Sequence, residues 1–194
     1  MKTGLLLNTG IENIDTVYGG VRGTTLSSRQ NLRHWQTIVR SGVRTVVELR
    51  DGDHSDRLCS LCEQNGIRYF AFPLDSHAVP NEEIAPKLQQ FFEIIDNGDF
   101  YISCAMGLHR TDMALSIYWM FHGADLHLEP PYLKGHFPMP DSGRKGVDPS
   151  KIFRRLNSLY EYLSENGVIE IPDKATFTLR RKELIEYSKT MANI

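Results

Sequence analysis

The chain carries 194 residues, 41% of them hydrophobic and 24% charged, with a formal net charge of -2. These proportions suit a globular chain with a full core and exclude intrinsic disorder. So weak a charge also excludes a global basic field for nucleic acid or an acidic membrane, and any anion site must be local. No apolar run approaches the ~20 residues of a bilayer span. "MKTGLLLNTG" lacks the long apolar stretch of a secretory leader. Three cysteines do not make a disulfide framework. One cytoplasmic domain covering residues 1–194 is expected, without membrane attachment.

The pattern alternates strand and helix. "DTVYGGV" ends in a short β-like run. "SSRQNLRHWQTIVRSG" places Leu32, Trp35, Ile38 and Val39 at helical spacing, with a serine cap and Gly42 as a stop. "VRTVVELR" is β-branched and apolar, the pattern of a central strand. "HSDRLCSLCEQNG" sets Leu58, Leu61 and Cys62 on one helical face, and "IRYFAFPL" is the next strand. "NEEIAPKLQQFFEIIDNG" reads as a helix with Asn81 as its cap and an awkward Pro86 near its start. "GDFYI" and "MALSIYWMF" read as a strand and a buried helix, with "SCAMGLHRTD" at the turn between them. A long Pro- and Gly-rich stretch, 126–150, precedes two more helical patterns, "KIFRRLNSLYEYLSENG" and "RRKELIEYSKTMA". Such alternation predicts an α/β fold, with a mostly parallel sheet between helices and extra C-terminal helices on the same domain.

A strand-to-helix turn is where an open α/β sheet places its ligand chemistry. A loop curling over a helix N-terminus turns its backbone N–H groups inward and makes an anion nest. Gly107 permits a tight turn and close approach of a ligand. Arg110 can grip two phosphate oxygens with its planar fork. The same positive field favours a thiolate at Cys104, and a thiolate facing a cradled phosphate is a nucleophile for phosphoryl transfer. Thr111 can offer its hydroxyl to the sulfur. The cradle itself is the run Ala105, Met106, Gly107, Leu108, His109 and Arg110.

"CAMGLHRT" fits Cys-x5-Arg-Thr and resembles the phosphate-binding loop of cysteine-dependent protein phosphatases, the tyrosine and dual-specificity superfamily. The resemblance extends over about residues 17 to 123, through "VRGTTLSSRQNLRHWQTIVRSGVRTVVELR" and "GIRYFAFPLDSHAVPNEEI". It implies a phosphoric monoester hydrolase acting through a phosphocysteine, on phosphotyrosine and on phosphoserine or phosphothreonine. Its partner would be a phosphorylated protein or a small phosphomonoester; no cofactor and no metal are expected. In that family an aspartate after the third strand protonates the leaving oxygen, a role that falls here on Asp75. Asp51, Asp53 and Asp56, at another strand end, are reserves.

Three departures stand out. Ser103 replaces the usual histidine before the cysteine, and can still hydrogen-bond locally. Asp112 replaces the usual glycine after the threonine; near a bound phosphate it would repel, so it either points away or serves as an auxiliary acid. The loop holds no lysine, which argues against a polyphosphorylated inositol, although His109 could add charge. Two alternatives stay open: an RNA 5′-triphosphatase with a related loop, and a phosphate-binding module without turnover. "CSLC", Cys59 and Cys62, reads as core-facing helix positions rather than a metal site, with a disulfide to Cys104 conceivable if the fold brings them close. Lys134, His136, Arg144 and Lys145 lie on the long irregular stretch, either as a solvated connector or as a border of the pocket.

Overall fold

The computed structural model describes residues 1–50, 54–74, 81–137 and 146–193. A five-stranded sheet forms its centre, in the order β1-β2-β5-β3-β4. The strands are β1 (Asp15–Val17), β2 (Gly20–Thr24), β3 (Thr45–Glu48), β4 (Arg68–Ala71) and β5 (Phe100–Cys104). Only β1 runs antiparallel, paired with β2; the rest are parallel. The expected α/β class with a mostly parallel sheet is the one observed.

Alternation along the strands divides the interior into two layers. Val47, Phe100, Ile102 and Cys104 face one apolar cluster. Val21, Val46 and Tyr101 face the other. The second cluster is covered by α1 (Thr3–Leu7), α3 (Trp35–Ser41) and α4 (His54–Gln64), through Leu6, Ile38, Leu58 and Cys62. The first is covered by α6 (Leu88–Asp96), α7 (His109–Tyr118), α8 (Ser150–Asn166) and α9 (Lys174–Met191), through Phe91, Leu115, Leu156 and Phe177.

Four local outcomes differ from the sequence expectation. The helix expected over 27–42 is two: a single turn, α2 (Arg29–Leu32), capped by Ser28, then α3. Asn31 is buried and spends its side chain on the Thr25 carbonyl at 2.8 Å, which ties the first turn to the exit of β2. Gly42 closes α3 in the left-handed region, with φ +84°. Pro86 has no N–H to give, so α5 (Asn81–Ile84) passes through a 3₁₀ turn, Ala85–Lys87, into α6. Helix α7 widens into a π turn, Trp119–Gly123. Helix α9 starts six residues before "RRKEL", where Asp173 accepts from Thr176 N at 2.8 Å.

Candidate active site

Central strand β5 delivers Cys104 to the carboxyl end of the sheet, between β2 and β3. The chain then folds back over the end of β2. Gly107 sits at φ +65°, and a Cβ there would lie 2.4 Å from the backbone of Gly23. Only glycine makes that turn. The loop is gripped from outside: Asn13 Nδ2 donates to Met106 O at 2.7 Å, and Arg22 Nη2 donates to Gly107 O at 2.9 Å. Helix α7 starts at His109, so its positive end faces the loop.

The structure brings Cys104 and Thr111 together, with Arg110 beside Thr111 in the first turn of α7. Cys104 is 3% exposed, and Thr111 Oγ1 donates toward its Sγ at 3.4 Å. Arg110 is half-buried, and its Nη1 lies 3.5 Å from Leu74 O, at the exit of β4. Ala105 and Met106 form the exposed crown of the loop, while Gly107 and Leu108 are buried. His109 is exposed; desolvation and the neighbouring His136 ring push its pKa below the usual histidine value, which disfavours the extra positive charge foreseen for it.

Asp112 is not an auxiliary acid. Its carboxylate is fully buried and fully engaged, 2.6 Å from Arg22 Nη2, and it accepts from Gly135 N at 2.7 Å and pairs with His136 Nδ1 at 2.9 Å. Among the described residues Ser103 makes no side-chain hydrogen bond: its hydroxyl is buried without a partner there, at a strand position between Gly23 and Glu48 across the sheet. Glu48 is itself buried and held by Arg50 Nε at 3.0 Å, while Arg50 Nη2 donates to Thr25 and Ser27. The stretch with Lys134 and His136 is no solvated connector here. Lys134 pairs with Asp15 at 2.5 Å and His136 packs on α7.

Asp75, Asp51, Asp53, Arg144 and Lys145 lie outside the described residues. Asp56 is exposed in the first turn of α4. Cys62 is buried, with its thiol pushed up to about 12 by burial; it faces the cluster on the opposite side of the sheet from Cys104, which separates the two thiols. Cys59 is partly exposed beside Glu63.

Sequence reasoning missed Asn13, Arg22 and the Glu48–Arg50 pair. The signal was present: a charge inside a buried strand, as in "VRGT" and "VVELR", demands a partner.

No family profile and no curated sequence matches the chain. Solved structures do. TpbA of Pseudomonas aeruginosa superposes with a TM-score of 0.51 at 16% identity, over 76% of this chain and 84% of that one. The catalytic core of the PP-IP phosphatase SIW14 of Saccharomyces cerevisiae, in complex with citrate, gives 0.51 at 15%, over 84% and 98%. Tk-PTP in a mutant form gives 0.51 at 16%, over 78% and 97%. At such identities the likeness is one of fold: the chain has the α/β fold of the cysteine-dependent tyrosine and dual-specificity phosphatases.

Proposed function

We propose that the chain is a cytoplasmic enzyme that hydrolyses phosphoric monoesters through a phosphocysteine, acting on phosphotyrosine and on phosphoserine or phosphothreonine of a protein, or on a small phosphomonoester. One observation carries the reading: Cys104 Sγ, the Thr111 hydroxyl and the N-terminus of α7 converge on one loop whose carbonyls are engaged from outside. In the first step Sγ attacks phosphorus. The S–P bond forms as the P–O ester bond breaks, and the leaving oxygen takes a proton from Asp75. In the second step the Asp75 carboxylate takes a proton from water as the water oxygen attacks phosphorus, which restores the acid. The S–P bond breaks, and the Thr111 hydroxyl hydrogen-bonds the departing thiolate. Arg110 and the loop amides hold the phosphate oxygens throughout. Support for Asp75 comes from its neighbour in sequence, Leu74, whose carbonyl reaches Arg110. The crown residues Ala105 and Met106 carry no charge, and Met106 is 42% exposed, which suits an aryl ester better than a polyphosphate.

Cys104→Ser tests the reading. A serine hydroxyl is not ionised at neutral pH, so turnover of phosphotyrosine should fall to background while inorganic phosphate still binds. A Cys104→Ser protein that keeps a substantial part of wild-type kcat would overturn it. Turnover confined to triphosphate RNA, measured in parallel, would replace the substrate class.

A further inference from the structure

The buried carboxylate of Asp112 stands two residues beyond Arg110, in the first turn of α7, and the guanidinium facing it is buried as deeply. Arg22 Nη2 serves three acceptors: Asp112 Oδ1 at 2.6 Å, Gly107 O at 2.9 Å and Leu108 O at 3.5 Å. Its Nη1 donates to Tyr132 O at 3.2 Å. One side chain on β2 therefore joins the loop, the first turn of α7 and the segment that carries His136. The remaining charges around it are accounted for, since Asp112 Oδ2 is taken by Gly135 N and His136 Nδ1.

The pair is neutral in sum, so it supplies little net field to a phosphate; its effect is on geometry. In a trans peptide the C=O of one residue and the N–H of the next point in opposite directions. A Gly107 carbonyl drawn to Arg22 therefore sends the Leu108 N–H the other way, while the Leu108 carbonyl is held by the helical N–H of Asp112 at 2.7 Å. We infer that Arg22 and Asp112 are positioning residues of the phosphate loop: Asp112 fixes the guanidinium, and the guanidinium turns the Gly107 carbonyl away from the bound phosphate so that the Leu108 amide faces it. This rests on the loop being the phosphate site proposed above. Neither side chain touches substrate.

The test uses the double variant R22M/D112N. Removing both charges strands neither one in the interior, and asparagine keeps an acceptor for Gly135 N–H, so the fold should hold while the Gly107 carbonyl loses its Arg22 donor. Titration with inorganic phosphate, followed by phosphorus NMR, should show affinity lower by about tenfold or more at a near-wild-type Tm, because small misplacement of binding groups is costly. With an aryl phosphate, KM should rise together with a fall in kcat. Arg22→Lys supplies the second measurement. It keeps the charge opposite Asp112, but its single ammonium lacks the fork that reaches carboxylate and carbonyl at once, so it too should bind phosphate weakly. A pair that only supports the fold predicts otherwise: a well-folded R22M/D112N, or R22K if the double variant does not fold, would keep phosphate affinity within about fivefold of wild type, which overturns the proposal. Wild-type protein that binds phosphate but turns over no monoester sinks the functional reading alone. Wild-type protein that binds no phosphate sinks both.

Discussion

Asp75 follows directly on the residue whose carbonyl meets Arg110, which makes its role open to a simple substitution. A positioned acid contributes about 10²–10⁴-fold when the leaving group is poor. Asp75→Asn should therefore slow phosphotyrosine turnover by that order, and matter far less for an aryl phosphate whose phenol is already acidic. Equal loss on both substrates would mean that Asp75 supports binding or folding rather than proton transfer. Equal activity on both would move the acid elsewhere in the chain. Asp112 is excluded from that role by its burial against Arg22 and His136. At this scale the sequence was legible where chemistry is local. Cys104, Gly107, Arg110 and Thr111 lie close together in sequence between a strand and a helix, and that pattern is what marks them as a candidate anion site. That Arg22, a charge in a buried strand, needs a partner was legible; which partner was not, because its acceptors lie 85 and 90 residues away and spacing says nothing over such a distance.

Elements followed the hydrophobic period wherever it was strong, as in β3, β5, α6 and α8. They departed from it where a single side chain overruled the pattern. Asn31 broke one expected helix in two, and Asp173 started α9 ahead of its charged run. Helix α1 was unforeseen because five residues with one buried leucine carry no periodic signal. The π turn after α7 has its own tether: Arg180 of α9, 6% exposed, donates to Met120 O at 2.7 Å and pairs with the exposed Asp125. Arg180→Met would leave that buried carbonyl unpaired, a loss of about 1–3 kcal/mol. In a chain of this length it corresponds to a Tm lower by roughly 2–10 °C. Asp125→Asn, which removes only an exposed charge, should cost about 1 kcal/mol or less. If the two variants melt together, the carbonyl contact is not what anchors the turn.

Across the whole molecule, the apolar layer beneath Cys104 runs without a break into the C-terminal helices. Phe177 packs its ring at a tilt 4.4 Å from Tyr160 and 5.6 Å from Phe121, in the same cluster as Ile102 and Met113. Each fully buried side chain of this size is worth about 1.5–3 kcal/mol. Losing Phe177 and Leu184 together removes a large part of the about 5–15 kcal/mol that holds a domain folded. A chain lacking residues 174–191 should therefore lose its near-UV circular dichroism and its cooperative melting transition. Retention of both would show α9 to be an appendage, against the expectation of one domain over 1–194.

The brevity of β1 bears on how this protein behaves when crowded against copies of itself. An outer strand is a template on which another chain can extend the sheet, and natural proteins blunt it with shortness and charge. β1 offers only three residues, starts at Asp15, which is tied to Lys134, and is followed by Tyr18, whose φ of 46° turns the backbone out of the extended range. At the opposite margin β4 opens with an exposed Arg68, whose guanidinium lies over the Phe70 ring. Both margins of the sheet are thus guarded against edge-to-edge pairing, a resistance to aggregation that is independent of the chemistry at Cys104.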